Sequence, residues 1–217
     1  MDYIKSNGDI FAVIANSQTN GRGTKNRNFI SSEGGIYLSA VIKPNISTDK
    51  LPLVTPYFAT VIGNALKEFN IPYSYKWVND VFVSNKKLAG ILTETSISNG
   101  KVDKIIVGIG LNVNQKTFPN DLTNIATSLA LEGFLVDINR LIALLLNGIA
   151  NFNSAFSTLD FLSEYKANSL VINKKVSVTF GNNVTLGTVI DIGGLGELLI
   201  KTDTGVVTAH GGDLTLL

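Results

Sequence analysis

Three apolar, β-branched runs separated by tight turns lie between residues 76 and 114, and they constrain the fold more than any other feature of the sequence. The turns are Asn85-Lys86 and Asn99-Gly100, residue types that favour short hairpin connections. Strands joined by such short turns must run antiparallel and lie next to each other. The pattern predicts a three-stranded antiparallel meander, with strands at about residues 76–83, 87–96 and 101–114.

Two segments outside the meander show the 3.6-residue apolar period of an amphipathic helix. The first runs from Leu53 to Phe69, and the second follows Asp137, a candidate N-cap, and continues to Phe156. Shorter apolar runs at residues 9–15 and 34–42 predict two further strands. This part of the chain therefore contains both helices and strands.

From residue 171 the pattern changes to short strands separated by glycine turns. Four or five such strands fit into this segment. They predict a small closed β-barrel, because closure leaves no unpaired strand edge. We expect a domain boundary near residue 170, which divides the chain into residues 1–170 and 171–217.

Composition and charge exclude several classes of function. The 217 residues are 45% hydrophobic and 16% charged, which indicates a compact globular protein. The formal net charge is +1, so we expect no nucleic-acid partner, and any anion site must be local. The absence of cysteine excludes disulfides and thiolate chemistry. No apolar run reaches the roughly 18 residues of a membrane span, so we expect a cytoplasmic protein with no membrane partner.

The segment NGRGTKNRNF, residues 20–29, concentrates positive charge in this nearly neutral chain. Its glycines would let backbone N–H groups approach an anion, and guanidinium groups bind phosphate oxygens in pairs. A solvated surface loop explains the same residues equally well, and the segment matches neither the P-loop nor the GxGxxG pattern. By itself it does not distinguish a phosphate site from a surface loop.

Two further stretches place charge or glycine in strongly apolar strands. Lys87 precedes the apolar run LAGIL, where an ammonium group is costly to bury unless an anion meets it; a lysine at a strand end is the alternative. Gly90 in this run, and Gly108 and Gly110 in VGIGLNVN, each weaken their strands by roughly 0.5–1 kcal/mol relative to alanine. A bulge or bend in the sheet, or a flat ligand packed on bare backbone, would explain them.

In order and spacing, these stretches resemble the motifs of biotin–protein ligases, also called biotin–[acetyl-CoA-carboxylase] ligases. GRGTKNRNF is similar to their GRGRxGRxW loop, KWVNDVFVSNKKLAGIL to KWPNDxxxxxxKLAGIL, and GIGLNVN to GxGxN. ATSL, residues 126–129, is similar to the segment that usually follows. The resemblance covers nearly the whole chain, and the combination of K-W-x-N-D with K-L-A-G-I-L is highly specific.

The resemblance implies a fold and a reaction. The fold is α+β, a mixed β-sheet flanked by helices as in class II aminoacyl-tRNA synthetases, followed by a small SH3-like β-barrel. The ligase converts biotin and ATP to biotinyl-5′-AMP and pyrophosphate, with Mg²⁺ accompanying the ATP. It then transfers biotin to one lysine of a biotin carboxyl carrier protein, a part of acetyl-CoA or pyruvate carboxylase. Relatives occur as monomers and as homodimers, so a homodimer is compatible with the resemblance.

The resemblance also implies roles for individual residues. Catalysis would depend on Lys87, Arg22 and Arg27, because cations offset the repulsion between the biotin carboxylate and the α-phosphate. The biotin site would comprise Gln18, Gly21, Arg22, Gly23, Lys87, Gly90, Gly108 and Gly110. The ATP site would comprise Arg22, Lys25, Arg27, Phe29, Lys76, Asn79, Asp80 and Asn112. Of these, Asn79 and Asp80 would offer oxygen ligands to Mg²⁺.

Departures from the family pattern lead to alternative predictions. The Ser-Thr-Asn strand that helps relatives bind biotin does not precede the loop here, and we expect the chain to begin inside the helix that follows that strand. A noncatalytic biotin- or nucleotide-binding module is therefore an alternative, and ligation of lipoate is another. Thr24 and Asn26 stand where arginine and glycine are usual, Phe29 replaces tryptophan, and Leu217 stands where an arginine often lies near the nucleotide. We interpret His210, the only histidine, as structural.

Overall fold

In the computed structural model, which describes residues 11–217 except for the side chain of Asn26, the chain folds into two antiparallel sheets and four α-helices. The strands are β1 (Ala12–Ala15), β2 (Gly35–Ile42), β3 (Ser74–Lys76), β4 (Asp80–Val83), β5 (Lys86–Ser98), β6 (Lys101–Asn112), β7 (Lys175–Phe180), β8 (Asn183–Ile192), β9 (Leu198–Thr202), β10 (Gly205–Ala209) and β11 (Asp213–Leu216). The α-helices are α1 (Val54–Lys67), α2 (Ile138–Ala150), α3 (Phe152–Thr158) and α4 (Asp160–Ala167). Two short 3₁₀ helices, Thr24–Asn26 and Thr48–Leu53, precede β2 and α1 respectively.

The first sheet contains the predicted meander. Its strand order is β1-β2-β6-β5-β4-β3, and β4, β5 and β6 follow one another as antiparallel neighbours. Two consecutive residues with positive φ form each turn, at Ser84-Asn85 and at Asn99-Gly100, as short hairpins require. The first turn therefore lies one residue earlier than predicted. The single strand predicted at 76–83 is divided into β3 and β4 by residues 77–79.

The strand pairs within this first sheet all run antiparallel. Parallel pairing in the described part of the chain occurs as single bridges, between Tyr75 and Ser169 and between Lys87 and Ala126. The strand predicted at residues 9–15 is β1; residues 9 and 10, and the expected helix at the start of the chain, lie outside the described residues.

Helix α1 packs on one face of this sheet and explains its 3.6-residue apolar period. Phe58, Ile62 and Leu66 are fully buried and belong to the same core cluster as the strand residues Ile36 and Val107. Burying a side chain of this size contributes about 1.5–3 kcal/mol relative to exposure. The apolar side of α1 therefore holds the sheet in place, and the opposite face of the sheet is left for the site.

The second predicted helix is correct at its start and wrong at its end. Asp137 caps α2, because its Oδ1 accepts hydrogen bonds from the backbone N–H groups of Asn139 (2.9 Å) and Arg140 (3.2 Å). The helix ends at Ala150, and α3 continues at an angle of 67° to it. The bend brings Phe152 and Phe156 into an aromatic cluster with Tyr57, which periodicity along one axis could not predict.

The second sheet has the strands predicted after residue 171, in the order β10-β9-β8-β7-β11. No ladder joins β10 to β11 among the described strands, so hydrogen bonds do not close the barrel. The core is continuous between the sheets, and the Trp77 indole Nε1 donates to the carbonyl oxygen of Gly196 at 2.8 Å. The boundary near residue 170 stays a prediction.

Within residues 11–217, no single helix has the length and apolarity to cross a membrane. Only α2 and α3 taken together pass that test of length and composition, as a bent pair.

Candidate active site

A cleft of about 780 Å³ lies on the face of the first sheet that does not contact α1. Its lining includes the predicted site residues Gln18, Arg22, Gly23, Lys25, Arg27, Phe29, Lys76, Asn79, Asp80, Lys87, Gly90, Gly108, Gly110 and Asn112. Gly21 is the exception among the predicted residues. It is buried behind the loop, where a Cβ would overlap the Phe29 carbonyl oxygen and the Ser31 Oγ.

The floor of the cleft is a row of residues paired across four strands. Tyr37 of β2 pairs with Gly110 of β6, Gly110 with Gly90 of β5, and Gly90 with Asp80 of β4. The register is regular at Gly108 and Gly110, so a β-bulge does not explain these glycines.

The Phe29 ring packs directly on this bare backbone. A Cβ at Gly110 would lie 2.5 Å from Phe29 Cε1, and a Cβ at Gly90 would lie 3.2 Å from Phe29 Cε2. The ring also meets Tyr37 edge-on, with 6.5 Å between centroids. A flat group on glycine backbone is therefore present, and in this structure it belongs to the protein's own loop.

A β-bulge places Lys87 in the cleft. Val81 pairs with Ala89 and Phe82 pairs with Lys87, so Leu88 is the extra residue of β5. Strict alternation from Gly90 would point Lys87 to the other face of the sheet, and the extra residue returns it to the cleft. A bulge was one of the explanations offered for Gly90, and the strand does contain one, at Leu88, two residues before that glycine.

The Lys87 ammonium group forms an ion pair with Asp80. Its Nζ lies 2.7 Å from Asp80 Oδ1, in a geometry that falls outside that of a hydrogen bond. The side chains are 28% and 20% exposed, so this pair is screened less than a surface pair. Nζ also lies 5.8 Å from the centroid of the Phe29 ring. The lysine is therefore held at the slot that Phe29 and the glycines form.

The positively charged segment at residues 20–29, called the cationic loop below, contacts the second sheet at its tip. Lys25 Nζ and Arg27 Nη2 lie 2.7 and 2.8 Å from Oδ2 of Asp213, the first residue of β11. The hydrogen bond from Lys25, with the charges of both cations, holds the pKa of the Asp213 carboxyl below its usual range. Backbone hydrogen bonds from Gly23 N to Arg27 O (2.7 Å) and from Phe29 N to Gly21 O (2.9 Å) shape the loop.

Asn112 belongs to a buried polar network beneath the cleft. Its Nδ2 donates to Thr127 O (3.0 Å), and its Oδ1 accepts from Gln115 Nε2 (3.2 Å). Gln115 Nε2 also donates to the Tyr37 hydroxyl at 2.9 Å, and burial raises the pKa of that hydroxyl. Asn112 thus has an internal partner at each end of its amide and also lines the cleft, and its nucleotide contact stays a prediction.

The residues predicted for Mg²⁺ contact other groups of the protein in this structure, and their role toward the metal stays a prediction. Asp80 lies against a lysine ammonium group, and Asn79 donates its Nδ2 to Ile91 O at 3.3 Å. No group of three or more acidic or histidine side chains in residues 11–217 could hold a metal ion. A cation bound by Asp80 would meet the charge of Lys87 at close range.

Two parts of the cleft were not predicted from the sequence. One is the apolar wall formed by Phe118, Leu122, Ile125 and Ala126, and the other is the segment Gly212, Asp213, Leu214 and Thr215. The apolar wall is held against β5 by hydrogen bonds from Lys87 N to Ile125 O (2.8 Å) and from Thr127 N to Lys87 O (2.9 Å). The ATSL segment, quoted above for its resemblance, was the available signal for this wall.

The only available signal for the second part was the glycine pair at 211–212, directly before an aspartate. His210 and Leu217 do not line the cleft, and His210 is exposed; the absence of a catalytic role for His210 stays a prediction.

Comparison with known proteins places the chain in a family. The model of the biotin/lipoate A/B protein ligase family matches residues 5–112. A solved structure, the biotin protein ligase from Aquifex aeolicus in complex with biotin and ATP, is similar with a TM-score of 0.81 and 30% identity, covering 100% of this chain and 93% of that one.

Curated proteins agree with this result. The bifunctional ligase/repressor BirA of Bacillus subtilis is 32% identical over 94% of this chain and 65% of its own length. The biotin–[acetyl-CoA-carboxylase] ligase of Mycobacterium tuberculosis is 28% identical over 96% of this chain and 80% of its own length. The chain thus spans slightly less than two thirds of the B. subtilis relative. It belongs to the biotin protein ligases of the biotin/lipoate A/B protein ligase family.

Proposed function

We propose that this chain activates biotin with ATP to biotinyl-5′-AMP and transfers the biotin to a lysine of a biotin carboxyl carrier protein. One observation carries the proposal most directly: a glycine-floored slot has a lysine at one end and a cationic loop beside it. The positive groups of this slot can bind two reactants that are both anions, a carboxylate and a nucleoside triphosphate. Cations placed where they meet lower the barrier to attack.

Lys87 is the residue to which we assign the biotin carboxylate. Its Nζ is close to the backbone at Gly90, where a Cβ would lie only 3.2 Å away. A carboxylate on the slot floor would compete with Asp80 for this ammonium group. Lys87 would then orient the attacking oxygen and later stabilise the oxyanion that forms when the carrier lysine attacks. The apolar part of biotin would lie on the glycine backbone where the Phe29 ring packs in this structure, so the ring would move aside to admit it.

Arg22, Lys25 and Arg27 are the residues to which we assign the nucleotide phosphates. They lie on one loop that lines the cleft, and guanidinium groups bind phosphate oxygens in bidentate fashion. A loop that covers the reacting groups also excludes water from the anhydride, which hydrolyses readily. Mg²⁺ would enter with the triphosphate as part of the substrate, because it keeps several waters and binds mainly through substrate phosphates and one or two protein carboxylates.

The experiment that tests this function is product analysis. The protein is incubated with biotin and magnesium ATP, and biotinyl-5′-AMP and pyrophosphate are measured by mass spectrometry and a coupled assay. A carrier domain is then added, and its mass is followed with biotin and, separately, with lipoate.

We expect adenylate formation followed by addition of one biotin per carrier. Binding of biotin without pyrophosphate release would contradict the ligase and favour a noncatalytic binding module. Labelling of the carrier by lipoate and not by biotin would assign the chain to the other branch of its family.

A further inference from the structure

Asp213 joins the cationic loop to the second sheet across the cleft. A single carboxylate oxygen of this residue contacts both Lys25 Nζ, at 2.7 Å, and Arg27 Nη2, at 2.8 Å. The three side chains are about half exposed, at 52%, 64% and 39% for Lys25, Arg27 and Asp213. Asp213 also lines the cleft, together with the loop residues that it holds.

The internal hydrogen bonds of the cationic loop determine its shape. They do not determine its position over the cleft, which depends on contacts with residues outside the loop. The bonds from Gly23 N to Arg27 O and from Phe29 N to Gly21 O lie within the loop. At the end of the loop, Phe29 packs on the glycine floor. At its tip, Lys25 and Arg27 are held by Asp213. These two contacts, one apolar and one ionic, attach the loop to the cleft.

The backbone on the Asp213 side is well constrained. Asp213 pairs with Thr179 at the start of the β11–β7 ladder. Gly212 before it has φ of +134°, and a Cβ at Gly212 would lie 2.8 Å from Thr179 O, so only glycine fits here. The carboxylate is therefore presented from a rigid strand end, as an anchor for a loop requires.

We propose that Asp213 is a positioning residue, which holds Lys25 and Arg27 over the cleft so that the loop is ordered before an anionic nucleotide binds. A phosphate oxygen can replace the Asp213 carboxylate as partner of the same two cations. The identity of the anion rests on the proposed function, whereas the anchoring of the loop rests on the two ion pairs alone. Ordering the loop in advance lowers the entropy lost on binding.

Two other roles are physically distinct from this one. An ordinary surface ion pair would contribute little, and its loss would leave the loop where it is. A carboxylate that mainly competes with the nucleotide for Lys25 and Arg27 would weaken binding, so its neutralisation would strengthen binding. The positioning role makes the opposite prediction for affinity.

The loop itself supplies the assay, because trypsin cleaves after lysine and arginine. We compare trypsin cleavage after Lys25 and Arg27 in the wild-type protein and in Asp213→Asn, without ligand and with magnesium ATP. Asp213→Glu keeps the carboxylate and serves as the conservative variant. Asp191→Asn is the matched control, because Asp191 also forms an ion pair from the second sheet, with Lys166 at 3.1 Å, away from the loop.

We expect cleavage of Asp213→Asn in the ligand-free state to be about three- to tenfold faster than that of the wild type, the range for losing exposed ion pairs. Asp213→Glu should lie near the wild type, and Asp191→Asn should match it. The KM for ATP should rise by a similar factor in Asp213→Asn, while the KM for biotin changes less than about twofold.

Unchanged cleavage in Asp213→Asn, or an equal increase in Asp191→Asn, would overturn the proposal. Tighter ATP binding by Asp213→Asn would overturn it in favour of competition. A wild-type protein that forms no adenylate would contradict the proposed function only. The cleavage comparison needs no catalysis, so it would still decide whether Asp213 anchors the loop.

Discussion

Replacing Lys87 by alanine is the most direct test of the electrostatic mechanism. The substitution removes the ammonium group that lies 2.7 Å from Asp80 Oδ1 at the end of the glycine slot. Two separate effects follow. The reacting carboxylate loses its cationic partner, and the Asp80 carboxylate remains in the cleft without one.

The size of the first effect follows from the role of a preorganised charge. Removing one donor to a developing oxyanion lowers kcat by about 10²–10³, which corresponds to about 2.7–4 kcal/mol. The second effect adds repulsion between Asp80 and two anionic substrates. Leaving a largely buried polar group unpaired also costs about 1–3 kcal/mol of stability. We expect Lys87→Ala to lower adenylate formation at least a hundredfold and to lower the unfolding free energy measurably.

The assay is single-turnover formation of biotinyl-5′-AMP, with urea unfolding measured on the same samples. Lys86→Ala is the matched control, because the neighbouring Lys86 Nζ donates to the Thr123 carbonyl oxygen at 2.9 Å on the exposed surface. It should retain nearly full activity. The double variant Asp80→Asn/Lys87→Ala removes the unpaired carboxylate, so it should recover stability without recovering the rate.

The reasoning would be refuted if Lys87→Ala turned over within about tenfold of the wild type, a loss of under 1.4 kcal/mol. It would be refuted equally if the double variant recovered the rate. In that case the unpaired Asp80 charge, and not the missing ammonium group, would have caused the defect.

Three further predictions concern the slot floor, a buried carboxyl group and a helix cap. Gly110→Ala places a methyl group 2.5 Å from Phe29 Cε1 and should lower the free energy of unfolding in urea by about 1–3 kcal/mol. In a Phe29→Ala background the same substitution should cost less, because the ring that it meets is absent. Equal costs in both backgrounds would contradict the packing of that ring on Gly110. Burial raises the pKa of Glu164 above 4.5, so its stability contribution is fully present below that pH and is lost as pH rises through the folded-state pKa. Urea unfolding between pH 4.5 and 7 should therefore decline less for Glu164→Gln than for the wild type, and parallel profiles would count against it. Asp137→Ala should lower the unfolding free energy by about 0.5–2 kcal/mol while Asp137→Asn stays near the wild type, and equal losses in both would exclude a capping role.

Local patterns predicted most of the fold, and the errors lie where distant parts of the chain decide. The meander, α1 and the cap at Asp137 follow from spacing and turn residues over a few positions. The break between α2 and α3 does not, because it depends on packing of Phe152 and Phe156 against Tyr57. The unclosed second sheet likewise depends on how its edge strands meet, and no local signal reports that.

The site was predictable as a set of residues and less so as an arrangement. All but one of the residues identified by motif resemblance line the cleft, because the motifs are local stretches of sequence, although other parts of its lining were not predicted. The resemblance did not predict that Phe29 lies on Gly110, or that a bulge at Leu88 turns Lys87 into the cleft. Those facts depend on strand register, which the sequence specifies only through the whole sheet.

The ion pairs of the site also explain why so local a charge cluster can exist in a chain of net charge +1. Lys87 is paired with Asp80, and Lys25 and Arg27 share Asp213, so these three cations have acidic partners. At the loop, an incoming anion must therefore replace the shared Asp213 carboxylate, and the exchange is favourable only for a ligand with more charge or better geometry than that carboxylate offers. A triphosphate meets this condition for two cations on one loop, whereas a lone monoanion does not. The pairing should consequently select polyphosphates at the loop and leave the single carboxylate of biotin to the one lysine at the slot.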